Sequence, residues 1–159
     1  MTSQLPALLD QVQHDFHFLV ARHAFTALPL QHSEQTKSLQ YQHPLLVIQF
    51  SVRNGEWQAL AWPAAAHQQT HQVKLDDLVT YLTQPPIDFA ADQARPGLSQ
   101  SQALSQLAQQ VAPIADAMIA LFDPARWPVV WADMQAVLHA RSAERSRQFM
   151  QWMQARKAA

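Results

Sequence analysis

Cysteine is absent from this chain of 159 residues, and glycine occurs only twice. Without cysteine there is no disulfide, no thiolate nucleophile and no cysteine-bound zinc, so the composition does not require an oxidising compartment. Gly55 and Gly97 are too few for the glycine-rich loops that let a backbone approach phosphate groups. The sequence therefore excludes Rossmann-type and P-loop nucleotide sites.

Charge is also scarce, since charged residues make up 14% of the chain against about 25% in a typical soluble domain. The net charge of -1 hides an asymmetry between the two ends. Residues 1–92 hold 4 basic and 8 acidic side chains, whereas residues 141–157 hold 5 basic and 1 acidic. We expect an acidic body and a basic C-terminal end, a distribution that orients an encounter with a charged partner.

Long apolar runs are missing. The least polar stretch, Val111 to Phe122, contains Pro113 and Asp116 and is shorter than the roughly 20 apolar residues of a membrane span. The first six residues lack the basic start and apolar run of a secretory signal. We expect a cytoplasmic protein with no membrane partner. With 48% hydrophobic residues, residues 1–159 should form a single α+β domain.

The N-terminal part of the chain predicts a helix followed by a sheet. Apolar residues at spacings of three and four indicate a helix from about Ser3 to Arg22. From Phe25 to Trp62 the chain changes to short extended runs, which indicate strands.

The sharpest local signal is Asn54-Gly55, because both residues tolerate the positive φ angles of a type I′ turn. This turn should join Leu45–Arg53 to Glu56–Trp62. Val52 would then face Trp57, Phe50 would face Ala59 and Ile48 would face Ala61, which makes one face of an antiparallel sheet apolar.

The C-terminal part predicts two to three helices packed on this sheet. A short helix is indicated over Leu75 to Leu82, and Pro85-Pro86 ends it. The following stretch, as far as Gly97, has the composition of an ordered surface loop or a linker.

Two longer helices complete the prediction. Apolar residues every three or four positions from Leu104 to Leu121 indicate a helix, which Pro113 should kink by removing a backbone donor. A last helix should run from Pro128 to about Lys157. Its inward side chains should be Trp131, Met134 and Leu138.

The histidines do not form a ligand set with metal-site spacing. On a helix, His14 and His17 share a face while Asp15 points elsewhere, so a third ligand is missing. His67 and His71 lie in a glutamine-rich stretch, and we interpret them as solvated side chains. We expect no metal and no cofactor.

No catalytic group stands out either. Adjacent carboxylates at Asp76 and Asp77 diverge by about 100° on a helix and are explained by its N-terminus. A Ser-His-Asp arrangement would be spatial, and no nucleophile elbow supports one. We therefore predict that the protein is not an enzyme.

The end of the last helix turns from apolar to basic. Arg141, Arg145 and Gln148 continue the line of Met134 and Leu138, and we expect the arginines to pair with acids of the body. The cluster formed by Phe149, Trp152 and Met153 should pack on the body or on a second copy. Basic and aromatic side chains here give a short version of a nucleic-acid-binding pattern, but the acidic remainder argues against such a partner.

Five segments in this order resemble a known group of proteins. They are Phe16-His17-Phe18-Leu19, Leu39-Gln40-Tyr41-Gln42-His43-Pro44, Asn54-Gly55-Glu56, Leu75-Asp76-Asp77-Leu78 and Arg141-Ser142-Ala143-Glu144-Arg145. The chain resembles a loose group of small, mostly uncharacterised bacterial proteins, some of which look like immunity proteins of polymorphic toxin or contact-dependent inhibition systems. The resemblance implies a protein partner that is neutralised, and it implies no catalytic residues.

Three hypotheses follow from these observations. The first is a protein that binds and occludes a partner. Acidic residues of the sheet layer and basic or aromatic residues of the last helix would contact that partner. These candidate partner-binding residues are Glu34, Glu56, Asp76, Asp77, Arg141, Arg145, Phe149 and Trp152. The second is a homo-oligomeric structural or adaptor protein that self-associates through the aromatic cluster. The third is an unrecognised enzyme or ligand-binding protein in which Trp57, Trp62 and Tyr41 line a pocket between sheet and helices.

Overall fold

The chain has an α+β architecture in the computed structural model, which describes residues 4–65 and 71–159. The strands are β1 (Thr26–Ala27), β2 (Gln31–His32), β3 (Thr36–Gln42), β4 (Leu46–Arg53), β5 (Glu56–Pro63) and β6 (Val73–Lys74). The helices are α1 (Gln4–Asp15), α2 (His17–Arg22), α3 (Leu75–Thr83), α4 (Phe89–Ala94), α5 (Gln100–Val111), α6 (Ala115–Leu121) and α7 (Trp127–Ala158). The predicted order of one helix, an antiparallel sheet and C-terminal helices is confirmed.

The first predicted helix is two helices. Phe16 has φ -102° and ψ 13°, and it separates α1 from α2. The apolar spacing continues through the break, because Val12, Phe16 and Leu19 are all buried in the same core. Periodicity alone therefore did not reveal where the helix stops. The predicted start at Ser3 lies outside the described residues.

All strand pairs in the sheet are antiparallel, in the order β1, β3, β4, β5 and β6, with β2 also paired to β3. The Asn54-Gly55 turn joins β4 to β5, and its φ angles of 53° and 79° are those a type I′ turn needs. The register pairs Val52 with Trp57, Phe50 with Ala59 and Ile48 with Ala61. The predicted hairpin and its register are confirmed.

One face of the sheet lies against the helices and forms the core. The alternate residues of β4 that point to this face are Leu46, Ile48, Phe50 and Val52, each at most 1% exposed. Helix α1 packs on β3 and β4, α3 packs on β5, and α5 packs on both α1 and α3. Trp57 packs partly buried against this core, as its predicted position requires. On the opposite face the Gln40 side chain donates to the Gln49 side chain at 3.0 Å.

Pro113 marks the predicted change of direction between the two helices that follow. Helix α5 ends at Val111, a 3₁₀ turn spans Ala112–Ile114, and α6 begins at Ala115. The missing N–H of proline is tolerated in this tighter turn, so the apolar seam continues while the helix axis breaks. Leu104, Leu107, Val111, Met118 and Leu121 are all buried.

The stretch after Pro85-Pro86 is not a plain loop. It contains the six-residue helix α4, whose N-terminus is capped by the Asp88 carboxylate accepting from the Ala91 N–H. Helix α4 packs on α7. The linker interpretation was wrong because the contacts that order this stretch come from a helix more than 50 residues later in the chain.

Helix α7 is 32 residues long, or about 48 Å. Met134 is fully buried, as predicted, while Trp131 and Leu138 are half-buried. Its first half packs on α3, and its second half carries α4. Along residues 4–65 and 71–159, no helix has the length and apolar character needed to cross a bilayer.

Candidate functional site

A groove of about 620 Å³ lies along the outer edge of β5, between the hairpin and the helices. Its polar lining includes Arg53 and Glu56 at the hairpin and Lys74 and Asp76 at the start of α3. Helix α5 closes the other side through Gln100 and Ala103. We call this cavity the edge groove.

The edge groove exists because β5 is longer than the strand beside it. Strand β6 pairs with β5 only at Leu60 and Ala61. Within the part of the chain that the structure describes, no strand lies beside Glu56–Ala59 on that side. The missing strand leaves space between β5 and α5.

Gln100 occupies part of the unpaired edge. Its side-chain oxygen accepts from the Trp57 backbone N–H at 3.4 Å, and its carbonyl oxygen accepts from the Trp57 indole at 3.0 Å. The first bond is longer than the usual range for N–H···O bonds, whereas the second lies within it. Gln100 therefore holds the Trp57 indole in place with a good hydrogen bond, whereas its bond to the Trp57 backbone N–H is weak.

The carboxylate of Asp76 is partly buried and therefore poorly solvated. Desolvation raises the pKa of Asp76, the adjacent Asp77 raises it further, and Lys74 lowers it in part. A carboxylate in this situation gains more from an incoming cation than a fully hydrated one does. Asp76 is thus the acidic group of the edge groove with the most to gain from a basic ligand.

The structure brings together two of the four acidic candidates. Glu56 and Asp76 line the edge groove, and Asp77 is next to Asp76 without lining it. Glu34 is exposed on the turn between β2 and β3, where the following Gln35 accepts from Arg53 at 3.4 Å.

Sequence reasoning singled out only Glu56 and Asp76 among the residues that line the groove, and it missed Lys74, Gln100 and Ala103 among others. A signal was present for the last two, because Ser99 and Gln102 form a capping box that fixes the start of α5. That signal places Gln100 in the first turn of a helix, but it does not say which strand the helix meets.

The four C-terminal candidates form a second cluster, which holds the segment of residues 85–95. Gln148 binds this segment at two points, since its amide nitrogen donates to the Ile87 carbonyl and its oxygen accepts from the Phe89 N–H, both at 2.9 Å. Arg141 donates to the Pro85 carbonyl at 2.6 Å, and Arg145 pairs with Asp92 at 2.9 Å. The expected pairing with an acid is confirmed for Arg145, whereas Arg141 binds a backbone carbonyl.

The aromatic candidates meet a ring of α4. The centroid of Phe89 lies 5.4 Å from that of Phe149 and 5.6 Å from that of Trp152, both at edge-to-face angles. Packing on the body of the protein is therefore confirmed, although Phe149 stays 41% exposed. We call α4 together with its preceding prolines the strap.

A serine, an aspartate and a histidine do come together, but in an order unsuited to nucleophilic catalysis. Asp15 accepts from Ser105 at 2.9 Å, and the His14 ring lies 3.0 Å from its other oxygen. Burial acts to raise the pKa of Asp15, but hydrogen bonds from His14, Gln11 and Ser105 hold it below its ordinary value. A carboxylate with a low pKa is a poor base for a serine, and the histidine that should receive the proton is on its far side. The expectation that Asp15 points away from His14 was wrong, because α1 ends at Asp15.

His71 is packed more closely than its predicted solvated role suggests. Its ring stacks on Trp131 with centroids 4.9 Å apart, and its Nδ1 accepts from the Trp127 indole at 3.2 Å. The residue as a whole is still exposed. The other histidine of that prediction, His67, lies outside the described residues.

Metal ligands and the proposed aromatic pocket can also be placed. Among the residues that the structure describes, no three His, Asp or Glu side chains come close enough to hold a metal ion.

Tyr41 and Trp57 point to the core face of the sheet, whereas Trp62 belongs to the alternate set of β5 residues on the opposite face. These three side chains therefore do not line one pocket.

Comparison with known proteins adds no relative, since no family model, curated protein or solved structure matches the chain.

Proposed function

We propose that this chain is a partner-binding protein that blocks another protein by covering it with the edge groove and the surrounding rim. The proposed partner is a toxin of the same cell or a neighbouring one, so that the chain acts as an immunity protein. The mechanism is steric and electrostatic, and it needs no bond-making chemistry.

The observation that carries this proposal is the open groove beside an unpaired strand segment, lined by both backbone and charged side chains. A concave surface with a few convergent polar groups is the usual form of a binding site. Here the polar groups are two acids and two bases, with no paired nucleophile and base among them. This set favours recognition over catalysis.

Charge favours a basic partner. Arg53 is directed partly towards β3, where it donates to Gln35. Arg53 and Lys74 are the two cations beside the carboxylates of Glu56, Asp76 and the adjacent Asp77, so the excess of carboxylates is one. A partner with lysine or arginine side chains would meet this excess of one carboxylate at the rim, and such a charge helps to orient the two proteins.

The test of the proposal is protection against a toxin. The C-terminal domain of a large secreted protein encoded beside this chain would be expressed in bacteria, and growth would be measured with and without the chain. Protection is expected from the wild type and should be lost in Glu56→Lys, which places a cation at the rim. Asp10→Lys is the matched control, because it makes the same charge change at an exposed residue of α1 that does not line the groove.

Two results would contradict this function. One is the absence of any such protein among the products of neighbouring genes. The other is equal protection by wild type and Glu56→Lys, since that would mean that the groove rim does not meet the toxin.

A further inference from the structure

We infer that two copies of the chain associate through the outward face of α7, with the two helices antiparallel. The inference goes beyond the proposed function, because this face lies on α7 whereas the edge groove lies beside β5. It is carried by a line of apolar residues that is exposed in a single copy.

This line follows α7 at alternating spacings of three and four residues. Six of its eight members are apolar, and the line is about 36 Å long. We call it the outer seam, and it consists of Val129, Ala132, Ala136, His139, Ala143, Ser146, Met150 and Met153. A repeat of this kind over more than three heptads is the sequence pattern of a helix that packs on another helix.

The outer seam lies on the side of α7 that faces away from the body. Met134, which is buried in the core, and Gln148, which holds the strap, are roughly half a turn away from it. A helix that packs on one side usually carries polar side chains on the other. Here the other side carries Val129 at 73% and Met150 at 56% exposure. An apolar face that points away from the core indicates a second packing partner.

The charges of α7 favour a second copy that runs in the opposite direction. Residues 141–157 hold 5 basic and 1 acidic side chains, whereas residues 127–140 hold Asp133 as their charged side chain, besides His139. A parallel pair would place the two basic halves side by side, where like charges repel. An antiparallel pair places each basic half beside the half of the other helix that carries Asp133.

One register of the antiparallel pair uses the whole outer seam. Its facing pairs are Val129 with Met153, Ala132 with Met150, Ala136 with Ser146, and His139 with Ala143. Met150 and His139 thus each meet an alanine, and alternating large and small side chains lets the two helices interdigitate. A shift by one heptad would leave either Val129 or both methionines outside the contact.

The residues beside the outer seam fit the same register. On one flank, Asp133 would lie next to Arg147 of the second copy. Asp133 accepts from the Tyr81 hydroxyl through Oδ2, and Arg147 donates to Glu144 through Nε and Nη2, so each keeps another atom that can reach the second copy. On the other flank, Phe149 would cover part of its 41% exposed surface. An exposed ion pair adds little affinity, but it favours one register over the others.

The mass in solution tests the inference on the whole chain. In gel filtration with light scattering at about 100 µM, the wild type should have twice the 18.0 kDa of one chain. Ala143→Arg should have the mass of one chain, because it places two bulky cations near the two-fold axis, and circular dichroism should show an unchanged helix content. Ala155→Arg is the matched control, the same change at an exposed residue of α7 half a turn from the outer seam.

The absence of cysteine from the chain allows the direction of the helices to be tested by cross-linking. Ala132→Cys and Met150→Cys are prepared separately and then mixed under mild oxidation. The mixture should form a disulfide-linked dimer at least about tenfold faster than either variant alone. The reason is that the two positions face each other, whereas the two copies of residue 150 would be about 27 Å apart.

A wild type with the mass of one chain would overturn the inference. A dimer that survives Ala143→Arg would do the same, because the contact would then lie on another surface. Cross-linking of the mixture that is no faster than that of Met150→Cys alone would exclude the antiparallel arrangement. The proposed function is tested separately, by the effect of Glu56→Lys on protection against the toxin.

Discussion

Replacing Phe89 by alanine should release the strap from α7. Phe89 is the ring that both Phe149 and Trp152 contact, and the guanidinium of Arg145 lies 5.4 Å from its centroid. The backbone bond from the Phe89 N–H to Gln148 does not depend on the side chain. Phe89→Ala therefore removes the ring contacts while leaving the hydrogen-bonding groups in place.

The size of the effect follows from two contributions. Burying about half of a phenylalanine side chain stabilises by roughly 1 to 1.5 kcal/mol, and each edge-to-face pair adds about 0.5 to 1.5 kcal/mol. The sum is about 2 to 4.5 kcal/mol for docking of the strap. Arg145→Gln should cost less, about 0 to 1 kcal/mol, because the Arg145 side chain is 51% exposed and its ion pair with Asp92 is screened by water.

Hydrogen exchange measures this docking directly. In Phe89→Ala the amides of the last turn of α4 should exchange roughly 30- to 2,000-fold faster, while those of β4 should keep their protection. Arg145→Gln should change the same amides by no more than about fivefold. Equal acceleration in the two variants would refute the reasoning, because charge and not packing would then hold the strap.

Three further predictions concern the turn, the core and metal dependence. Gly55→Ala should lower the free energy of unfolding by about 1 kcal/mol in urea titrations, because Gly55 has a φ of 79°; Gly97→Ala, with open space around the added Cβ, should not. Burial raises the pKa of Tyr41 to about 12. The stabilisation from keeping this phenol neutral is therefore fully present below about pH 10 and is lost as the pH rises towards 12. In urea titrations between about pH 9 and about pH 11, the free energy of unfolding of the wild type should fall by about 1 kcal/mol more than that of Tyr41→Phe. Addition of a chelator should leave the melting temperature unchanged, and a clear fall would show that the dismissed histidines bind a structural metal.

The hairpin could be predicted in detail because its determinants are close together in the chain. Asn54 and Gly55 supply the two positive φ angles, and the alternation of apolar residues on both sides admits only one register. The same is true of the break at Pro113, where a missing donor acts on the turn that contains it. At these two places the local sequence and the packing of the fold favour the same structure, so the local sequence is enough to predict it.

The strap could not be predicted because its own sequence carries little information about its structure. Helix α4 has six residues, too few to show a helical period, and none of them is fully buried. Its order comes from Gln148, Phe149 and Trp152, which lie more than 50 residues away in the chain. The capping side chain of Asp88 was the one local signal available.

The edge groove was predicted only in part, for a related reason. Charge singled out Glu56 and Asp76, which do line it. The groove itself arises from a difference in length, eight residues in β5 against two in β6, and from the position of α5 opposite that difference. Strand pairing between distant segments is not encoded in the composition of either strand.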